Sequence, residues 1–411
     1  MKVYEVGGSV RDALLGLQSQ DRDYVVVGAT PEELVALGYK PVGADFPVFL
    51  HPETHAEYAL ARTERKTAPG YQGFVFHTSV DVTLEEDLAR RDFTINAIAR
   101  DADGALIDPY CGAADIKSRL LRHVGDAFIE DPVRVLRGAR FAARFAELGF
   151  GIAAETKALM QAITASGELD HLVAERVWQE IARGLMENKP SAMFAVLRDC
   201  GALARVMPEI DRLFGVPQSA TSHPEIDTGV HVMMVIDYAA KQNQSLSIRF
   251  AALVHDLGKG VTAAKHLPHH PRHEETGVEI VKALCARMRV PNECRDLGIL
   301  CARWHGEVHK AESLSAESLL ALFDGTDALR RPERFRELIV ACACDHHGRL
   351  GFENVPYPPY GHLLATQSAL QGINQADVAR TAVTPAEIPN AIHQAKLSAL
   401  EAAIDQQRKP K

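Results

Sequence analysis

Two acidic residues near the start of the chain stand where they can hold a divalent metal ion. Asp21 and Asp23 open an apolar run at residues 24–27, whose β-branched residues and short length predict a buried strand. Residues i and i+2 of a strand project to the same face, about 7 Å apart. Because Mg²⁺ takes oxygen ligands and keeps positions for substrate phosphates, the pair predicts a magnesium site.

A glycine pair, Gly7 and Gly8, precedes these acids. The sequence predicts a strand over residues 2–6 and a short helix over residues 10–15, joined by a turn that needs the backbone freedom of glycine. Backbone N–H groups at such a turn bind anions, and the Arg11 guanidinium fits phosphate. Alone, either half is explained as well by an ordinary turn or a solvated Asp-x-Asp pair. In this order, the two predict a site for nucleotide phosphates.

A row of arginines follows at helical spacing. Arg137, Arg140 and Arg144 fall within one stripe of about 120° on a helix, and apolar residues fill the other side. A solvated charged face is the common explanation of such a run, but acidic residues at i+4 are absent here. Because guanidinium groups pair with phosphate oxygens, Arg137 and Arg140 are predicted to clamp a triphosphate beside Arg91.

Asp131 and Arg134, at the start of the same predicted helix, suit a different task. A carboxylate accepts and a guanidinium donates hydrogen bonds, so the pair can read the Watson–Crick edge of a base. The protein itself can then act as the template.

These segments resemble the class II tRNA nucleotidyltransferases and bacterial poly(A) polymerases of the polymerase-β-like nucleotidyltransferase superfamily. Besides the glycine turn with Asp21 and Asp23, residues 90–97 are similar to the family's Arg-Arg-Asp motif and residues 130–134 to its Glu-Asp-x-x-Arg motif. The resemblance implies that Asp21 and Asp23 are catalytic ligands of Mg²⁺ and that Asp131 and Arg134 select C, then A. The nucleotide-binding residues that it implies are Gly8, Arg11, Arg91, Asp92, Asn96, Asp131, Arg134, Arg137 and Arg140.

Two features of this region stay open. The stretch from residue 64 to residue 74 is rich in turn-forming residues, and the corresponding loop of the resembling enzymes is flexible and takes part in the reaction. Glu57, on a strand-like segment, could be a third acidic group near the metal, and the sequence does not decide this.

Histidine and aspartate residues form a second candidate metal site, made of His231, His255, Asp256, His273, His305 and Asp345. Imidazole and carboxylate groups together suit divalent transition metals. A lone histidine on an apolar helix, as His231 would be, is usually a satisfied core residue, but the set resembles the all-helical HD phosphohydrolase superfamily. That resemblance implies catalysis by His255 and Asp256 and a bound metal, with Ni²⁺ expected, although the residues themselves do not select Ni²⁺ over Mn²⁺ or Co²⁺.

The predicted fold class is α+β: a polymerase-β-like nucleotidyltransferase head, an all-helical neck and body, and an all-helical HD domain. The predicted boundaries are residues 1–125 for the head, 126–215 for the neck and body, 216–350 for the HD domain and 351–411 for a helical tail. Helical periodicity dominates beyond the head, and a segment rich in proline and serine at residues 214–228 marks a boundary.

The resemblance implies template-independent addition and repair of the 3'-terminal CCA of tRNA with CTP and ATP. It adds a metal-dependent phosphohydrolase that acts as 2',3'-cyclic phosphodiesterase, 2'-nucleotidase and phosphatase. The expected partners are tRNA, bound by its acceptor arm and 3' end, and the two nucleotides. A monomer or homodimer is expected.

Composition bounds these expectations. The chain has 411 residues, 46% of them hydrophobic and 24% charged, which is enough to bury the cores of about two to four domains. It shows no charged-then-apolar leader and no run near the length of a membrane span, so no membrane partner is expected. The seven cysteines form no Cys-x-x-Cys pair, which predicts a reduced, cytoplasmic protein. A net charge of −9 argues against a broadly basic RNA-coating surface but allows a local basic track.

Two alternative functions remain: a poly(A) polymerase on the same head, and a non-catalytic RNA-binding or nucleotide-sensing protein. The intact acids and arginines of the head weigh against the second. Poly(A) polymerases of this type usually carry extended basic tails, whereas here only residues 408–411 form such a cluster.

Overall fold

The computed structural model describes residues 1–18, 22–42, 48–66, 74–380, 382 and 384–408, with the side chains of all but residues 64–66 and 74–77. Asp21 and the centre of the predicted loop, residues 67–73, lie outside the described residues. The chain divides into two compact units. The first comprises Met1–Gly184 with Ala192–Val206, and the second Leu185–Ser191 with Met207–Lys411.

The strands all lie in the first unit. In chain order they are β1 Lys2–Val6, β2 Asp23–Val27, β3 Lys40–Val42, β4 Val48–Leu50, β5 Glu57–Leu60, β6 Arg62–Lys66, β7 Phe74–Thr78, β8 Ala99–Arg100, β9 Leu106–Ile107, β10 Leu120–Leu121 and β11 Gly151–Ile152. Seven of them form one mixed sheet in the order β3-β4-β5-β2-β1-β8-β9, in which only β2 and β5 pair in parallel. β6 and β7 form an antiparallel hairpin, and β10 and β11 a short parallel pair.

The sheet separates two small apolar cores, because alternate residues of a strand face opposite sides. On one face Val25 packs with Leu84 and Leu88. On the other face Val26 packs with Leu34 and other apolar residues. The alternation fixes which side chains of β2 point to which core, and Asp23 falls on the same face as Val25.

In the part of the chain that the structure describes, nine helices lie before residue 207: α1 Gly8–Leu14, α2 Pro31–Ala36, α3 Leu84–Ala89, α4 Gly112–Ser118, α5 Val133–Arg144, α6 Ala154–Ser166, α7 Ala174–Leu185, α8 Pro190–Asp199 and α9 Ala202–Val206. Ten more described helices follow: α10 Pro208–Asp211, α11 Thr228–Lys241, α12 Leu246–Val254, α13 His273–Met288, α14 Asn292–His309, α15 Ala316–Gly325, α16 Pro332–His347, α17 Pro358–Gln371, α18 Gln375–Arg380 and α19 Ile388–Arg408. Short 3-10 helices span Thr94–Asn96, Asp126–Glu130, Ala146–Leu148, Glu168–His171, Leu257–Val261, Ala264–His266, Ala311–Ser313 and Pro385–Glu387.

A mixed sheet followed by helices confirms the predicted α+β class. Within the region expected to be all-helical, the two-residue strand β11 still pairs with β10. Helix α1 begins at Gly8, two residues earlier than predicted. Among the described residues, no helix has both the length and the apolar character needed to cross a bilayer.

A close approach at Gly138 positions α5 against the connection between α3 and β8, which carries the Arg-Arg-Asp motif. A Cβ at Gly138 would lie 2.9 Å from Cζ of Phe93, and Phe93 is fully buried. Because real Cβ atoms do not approach this closely, the glycine lets α5 lie flat against Phe93. The packing brings Asp92 and the arginines of α5 together.

Helix caps and another close approach order the second unit around its histidines. The Asp227 side chain accepts a hydrogen bond from Val230 N and so caps α11, which carries His231. Gly258, two residues after Asp256, lies so close to α13 that a Cβ would collide with the carbonyl oxygen of His273. The backbone that follows His255 and Asp256 is therefore in direct contact with the backbone of His273. These residues belong to the second candidate metal site, which is called the metal-type cluster below.

Candidate functional sites

The first candidate site lies where β1 ends and β2 begins. Val6 is paired directly with Asp23, and Gly7 then turns the chain with a φ of +74°. A Cβ at Gly7 would also lie 2.9 Å from Nη1 of Arg91. Glycine is therefore required both by the backbone angle and by the approach of Arg91. The pairing brings the predicted phosphate turn next to Asp23, whereas Asp21 lies outside the described residues.

Glu57 lies beside Asp23 in the parallel pair of β2 and β5. Neighbouring residues in register project to the same face, and both side chains are exposed. Two adjacent carboxylates repel each other unless a cation lies between them. The sequence could not decide the role of Glu57 because strand register is set by pairing rather than by residue type.

Asp92 is the centre of a hydrogen-bond network. Its Oδ1 accepts from Phe93 N at 2.8 Å and from Asn96 Nδ2 at 3.0 Å, and its Oδ2 accepts from Arg137 Nε at 2.7 Å. Burial would raise the pKa of Asp92, but Arg137 and the hydrogen bond from Asn96 hold it far below its usual value. The carboxylate is therefore ionised and keeps Asn96 and Arg137 in place.

Arg11 is buried rather than displayed at the turn. Its side chain is 4% exposed, its Nε donates to Asp12 Oδ1 at 2.8 Å, and its Nη1 donates to Asn96 Oδ1 at 2.5 Å. The guanidinium also lies 5.1 Å from the ring centre of Phe145. Burial lowers the pKa of Arg11 in spite of the neighbouring Asp12. In this arrangement the Arg11 guanidinium holds the Asn96 side chain in place. The sequence predicted that this guanidinium binds phosphate.

The three arginines of the predicted stripe on α5 are each paired with an acid from another element. The ion pairs are Arg137 with Asp92 at 2.7 Å, Arg140 with Glu180 at 2.6 Å and Arg144 with Asp12 at 2.9 Å. The absence of acids at i+4 excluded only partners within the helix, so the predicted cationic stripe is not an open face. The Arg137 side chain is still 34% exposed. Arg144 is 36% exposed beside Asp12, so Arg137 is distinguished by its pairing with Asp92 rather than by its exposure.

The two predicted base-reading residues have separate supports. Asp131 Oδ1 accepts from Val133 N at 3.2 Å, and both of its oxygens accept from Arg176, Nη1 at 3.2 Å and Nη2 at 2.7 Å. Arg134 is 8% exposed and donates to the carbonyl oxygens of Ala127 and Arg90. Both side chains are therefore oriented by other groups of the first unit.

Helix α7 supplies two site residues that sequence reasoning missed. Arg176 pairs with Asp131, and Glu180, one helical turn later, pairs with Arg140 and lies 3.8 Å from Arg137. Their spacing of four is the only signal in the sequence, and it is common on ordinary exposed helices. Only the folded structure shows that Arg176 contacts Asp131 and that Glu180 contacts Arg140.

The second candidate site brings together all six residues predicted for it. They come from α11, the end of α12, the start of α13, α14 and α16: His231, His255, Asp256, His273, His305 and Asp345. Their ligand atoms group within 4.8 Å around His231, His255 and Asp256, and again around Asp256, His273 and His305. Asp345 joins through its Oδ1, 3.0 Å from His231 Nε2. Asp256 is common to both groups.

The backbone orients three of the imidazole rings. Nδ1 of His255, His273 and His305 lies 2.8, 2.8 and 2.9 Å from a main-chain carbonyl oxygen. A carbonyl only accepts, so each Nδ1 carries a hydrogen, and Nε2 presents a lone pair in each ring that is neutral. Nε2 of His273 and His305 are 3.2 Å apart, and each lies 3.6 Å from Asp256 Oδ1. In neutral rings, the Nε2 lone pairs of His273 and His305 therefore lie close to the same carboxylate oxygen, Asp256 Oδ1.

Two atoms of this cluster fit a metal ion because they are otherwise unsatisfied. His255 Nε2 and Asp256 Oδ1 are buried without a hydrogen-bond partner among the described residues, which is costly unless a ligand is bound. Burial opposes a charge on His255, yet Asp256 and Asp345 raise its pKa to about 10, so the site favours positive charge. Burial lowers the pKa of His305 to about 3, which keeps that ring neutral and able to coordinate.

Several further residues contact these six, and one of them, His223, groups within 4.8 Å with His231 and Asp345. His309 Nε2 lies 2.6 Å from Asp345 Oδ2, and Lys259 Nζ donates to Asp256 Oδ2 at 2.6 Å. Glu225 Oε1 lies 2.7 Å from Nδ1 of His231. The spacing of four between His305 and His309 was a signal for His309. Glu225, in the proline-rich segment before α11, has no periodic signal at all.

Family models match three segments of the chain. Residues 3–122 match the Poly A polymerase head domain, residues 149–214 the probable RNA and SrmB-binding site of polymerase A, and residues 228–349 the HD domain. The matches agree with the predicted polymerase-β-like head and HD domain. The fold class predicted from the sequence is thereby confirmed.

Solved structures share the fold. A CCA-adding enzyme in an apo form aligns with a TM-score of 0.68 and 20% identity, covering 99% of this chain and 91% of that one. The Bacillus stearothermophilus CCA-adding enzyme in complex with CTP aligns with a TM-score of 0.65 and 22% identity, covering 97% and 89%. At such low identity these alignments establish architecture alone.

Curated relatives are much more similar. The Multifunctional CCA protein of Dechloromonas aromatica (strain RCB) is 60% identical over 405 residues, 98% of each chain. That of Herminiimonas arsenicoxydans is 58% identical over 415 aligned positions, 100% of each chain. Identity of this extent, through both units, confirms the predicted enzyme class, a nucleotidyltransferase with an HD phosphohydrolase domain. With its head, its RNA-binding segment and its HD domain all matched in order, the chain belongs to the multifunctional CCA protein family.

Proposed function

We propose that this protein adds and repairs the 3'-terminal CCA of tRNA, with CTP and ATP as substrates and no nucleic acid template. The observation that carries the proposal is the pairing of Asp23 with Val6, which places an acidic residue beside the Gly7 turn and its neighbour Arg91. The full-length relatives, named as CCA proteins, support the same reaction. In that reaction the tRNA 3' hydroxyl attacks the α-phosphorus of the nucleotide and pyrophosphate leaves.

Asp21 and Asp23 would hold Mg²⁺, and the register makes Glu57 a candidate third ligand. Bound there, Mg²⁺ would neutralise phosphate charge and favour the ionised hydroxyl. Among the described residues, Asp23 and Glu57 fit that role because they are hard oxygen donors side by side at an exposed sheet end.

The phosphates would lie between the glycine turn and the Asp92 network. Arg91 Nε is buried without a hydrogen-bond partner among the described residues, and the Arg137 side chain is partly exposed. Gly8 would leave room at the turn, while Asn96 and Arg11 fix the network from beneath. Arg140, paired with Glu180, would act as a clamp only through a rearrangement of that pair.

Base choice would follow from Asp131. Cytosine and adenine both carry an exocyclic amino donor, at N4 and N6, where uracil and guanine carry a carbonyl acceptor. A carboxylate accepts but cannot donate, so Asp131 rewards the first two bases and leaves the other two unpaired. Arg134, a donor fixed by two carbonyls, would face the acceptor atoms of the same base edge.

The test is extension of tRNA that lacks its 3' end, incubated with CTP, ATP or both, and products read by length and sequence. We expect CCA from the wild type and a loss of about a thousandfold or more in rate for Asp23→Asn and Asp21→Asn. Asp103→Asn, an exposed acid in a turn of the same unit, is the matched control and should match the wild type. Long runs of A would instead identify a poly(A) polymerase, and full activity of Asp23→Asn would exclude the metal role.

For the second unit we propose metal-dependent phosphoester hydrolysis by the His-Asp cluster, with 2',3'-cyclic phosphates, 2'-phosphates and other phosphomonoesters as substrates. The six predicted residues would hold the metal, since nitrogen and oxygen donors suit divalent transition metals in general. Among these we propose Ni²⁺, the ion that the resemblance to the HD superfamily implies. A bound metal of this kind lowers the pKa of water and supplies hydroxide for attack on phosphorus. The orphaned His255 Nε2 and Asp256 Oδ1 support the assignment.

A metal titration tests this proposal. The purified protein is stripped with chelator, reloaded with Ni²⁺, Mn²⁺, Co²⁺ or Mg²⁺, and assayed on 2',3'-cyclic AMP and a 2'-nucleotide. We expect hydrolysis to disappear on stripping and to return best with Ni²⁺. Hydrolysis that survives complete stripping would rule the metal out.

The seven unpaired cysteines, six of them buried, support our placement of the protein in the reducing cytoplasm.

A further inference from the structure

The carboxylate of Asp131 is held from two directions. Val133 N and Arg176 Nη1 both donate to Oδ1, each at 3.2 Å, and Arg176 Nη2 donates to Oδ2 at 2.7 Å. The two bonds from one planar guanidinium fix the plane of the carboxylate as well as its position. The pair is largely shielded, with side-chain exposures of 25% for Arg176 and 18% for Asp131.

Each carboxylate oxygen accepts about two hydrogen bonds. Oδ1 therefore has both positions filled, whereas Oδ2 receives one donor among the described contacts and keeps one position open. A single acceptor in a fixed direction can receive one exocyclic amino group. A carboxylate free to rotate could instead accept from uracil N3–H or guanine N1–H, which are donors on the same base edges.

The same helix holds the neighbouring arginines by the opposite charge. Glu180 follows Arg176 by one turn of α7, accepts from Arg140 Nε at 2.6 Å, and lies 3.8 Å from Arg137 Nη1. α7 thus presents a cation to the base-reading acid and an anion to the phosphate-binding arginines. The two functions are divided between two residues of one helix.

We propose that Arg176 is a positioning residue for nucleotide choice: it fixes the Asp131 carboxylate so that one oxygen accepts the amino group shared by cytosine and adenine. Glu180 holds Arg140 in an ion pair, positions Arg137 for the triphosphate, and does not set base choice. The inference rests on the proposed base-reading function of Asp131. It extends that function to a side chain that does not itself touch the nucleotide.

The test compares discrimination with nucleotide affinity. For Arg176→Gln we expect the preference in kcat/KM for CTP over UTP, and for ATP over GTP, to fall by about tenfold or more. KM for CTP and ATP should change by less than about threefold, and Arg176→Lys should restore part of the preference because it keeps the charge but not the fork. Glu180→Gln should raise KM for both nucleotides and leave the preference at the wild-type value.

Controls separate this inference from folding and from the proposed function. Arg183→Gln removes an exposed arginine from the same helix and should keep the wild-type preference. Thermal unfolding of each variant shows whether α7 remains folded. If Arg176→Gln keeps the wild-type preference while Asp131→Asn loses it, the positioning inference is wrong. If Asp131→Asn also keeps the preference, the base-reading function itself is wrong. Equal effects of Arg176→Gln and Glu180→Gln on preference would show a general structural role and also overturn the inference.

Discussion

Asp92 shows how much of the nucleotide site depends on one buried carboxylate. It accepts hydrogen bonds from Phe93 N and from the side chains of Asn96 and Arg137. Because its pKa lies far below that of an unfolded aspartate, the ionised form stabilises the folded state. That contribution is complete above the unfolded pKa, near about 4, and is lost as the pH falls below it.

Substitution of Asp92 should therefore cost stability in a pH-dependent way. We expect Asp92→Asn to lower the free energy of unfolding by about 1–3 kcal/mol at pH 7, a range reduced because Arg137 is partly exposed. Urea unfolding of both proteins between pH 7 and pH 3 measures this. The difference should shrink as the pH falls below about 4. A difference that stays constant over this range would show that the charge is not what stabilises the fold.

Residue types and spacing predicted the acids, the histidines and the metal-type cluster, because such groups are chemically distinctive. Partners that come from distant elements could not be predicted. Nothing in the sequence pairs Arg176 with Asp131, or Glu180 with Arg140, since these contacts depend on how α7 packs beside α5. For the same reason the sequence did not show the acids that pair with the arginine stripe, or the contacts of Arg11 with Asp12 and Asn96.

At the scale of elements, helical periodicity predicted the helices beyond the head, and a short β-branched run predicted the strand β2. The ends and the pairings of these elements depend on tertiary contacts and could not be predicted. β11 is two residues long and too short to carry a periodic signal. The parallel pairing of β2 with β5 depends on a crossover that composition does not reveal. That pairing is what places Glu57 beside Asp23.

At the proposed hydrolase site, the 3-10 helix Leu257–Val261 packs closely against α13, and this contact sets the distance between Asp256 and His273. Gly258→Ala would place a Cβ into the His273 carbonyl, so the two elements must separate. We expect a loss of about 1–3 kcal/mol in stability and at least about a tenfold loss of hydrolysis, because His273 moves away from Asp256. Chemical unfolding and hydrolysis of 2',3'-cyclic AMP measure the two effects.

Gly277 provides the matched control for this contact. A Cβ there would meet Gly258 N at 3.5 Å and the Ala302 Cβ at 3.7 Å, which are ordinary contact distances. Gly277→Ala should therefore keep hydrolysis, and the gain in helix propensity should offset the tighter packing. Equal loss in both variants would mean that the close approach at Gly258 has no special role.

At the scale of the whole molecule, the two chemistries lie in separate compact units. The residues proposed for nucleotide transfer all precede residue 185, and those proposed for hydrolysis all follow residue 207. A ligand lost from one unit should leave the chemistry of the other unit intact.

His255→Ala tests this separation. We expect loss of hydrolysis and a lower content of bound transition metal, because a buried ligand is removed, while the rate of tRNA extension stays within about twofold of the wild type. Elemental analysis, the cyclic nucleotide assay and the tRNA extension assay give the three readouts. Unchanged metal content with intact hydrolysis would make the cluster structural, and a large loss of extension would show that the two units are energetically coupled.

The imidazole rings of His255, His273 and His305 are aimed by the peptide backbone. Their alignment is thus a property of the helices and needs no ion to create it. A site of this kind can release one ion and take another without a folding event. Occupancy in the cell would then follow the supply of divalent ions, since nitrogen and oxygen donors rank these metals only by general affinity. The activity proposed for the second unit would in this way depend on which divalent ions the cell supplies, while the activity proposed for the first unit would not.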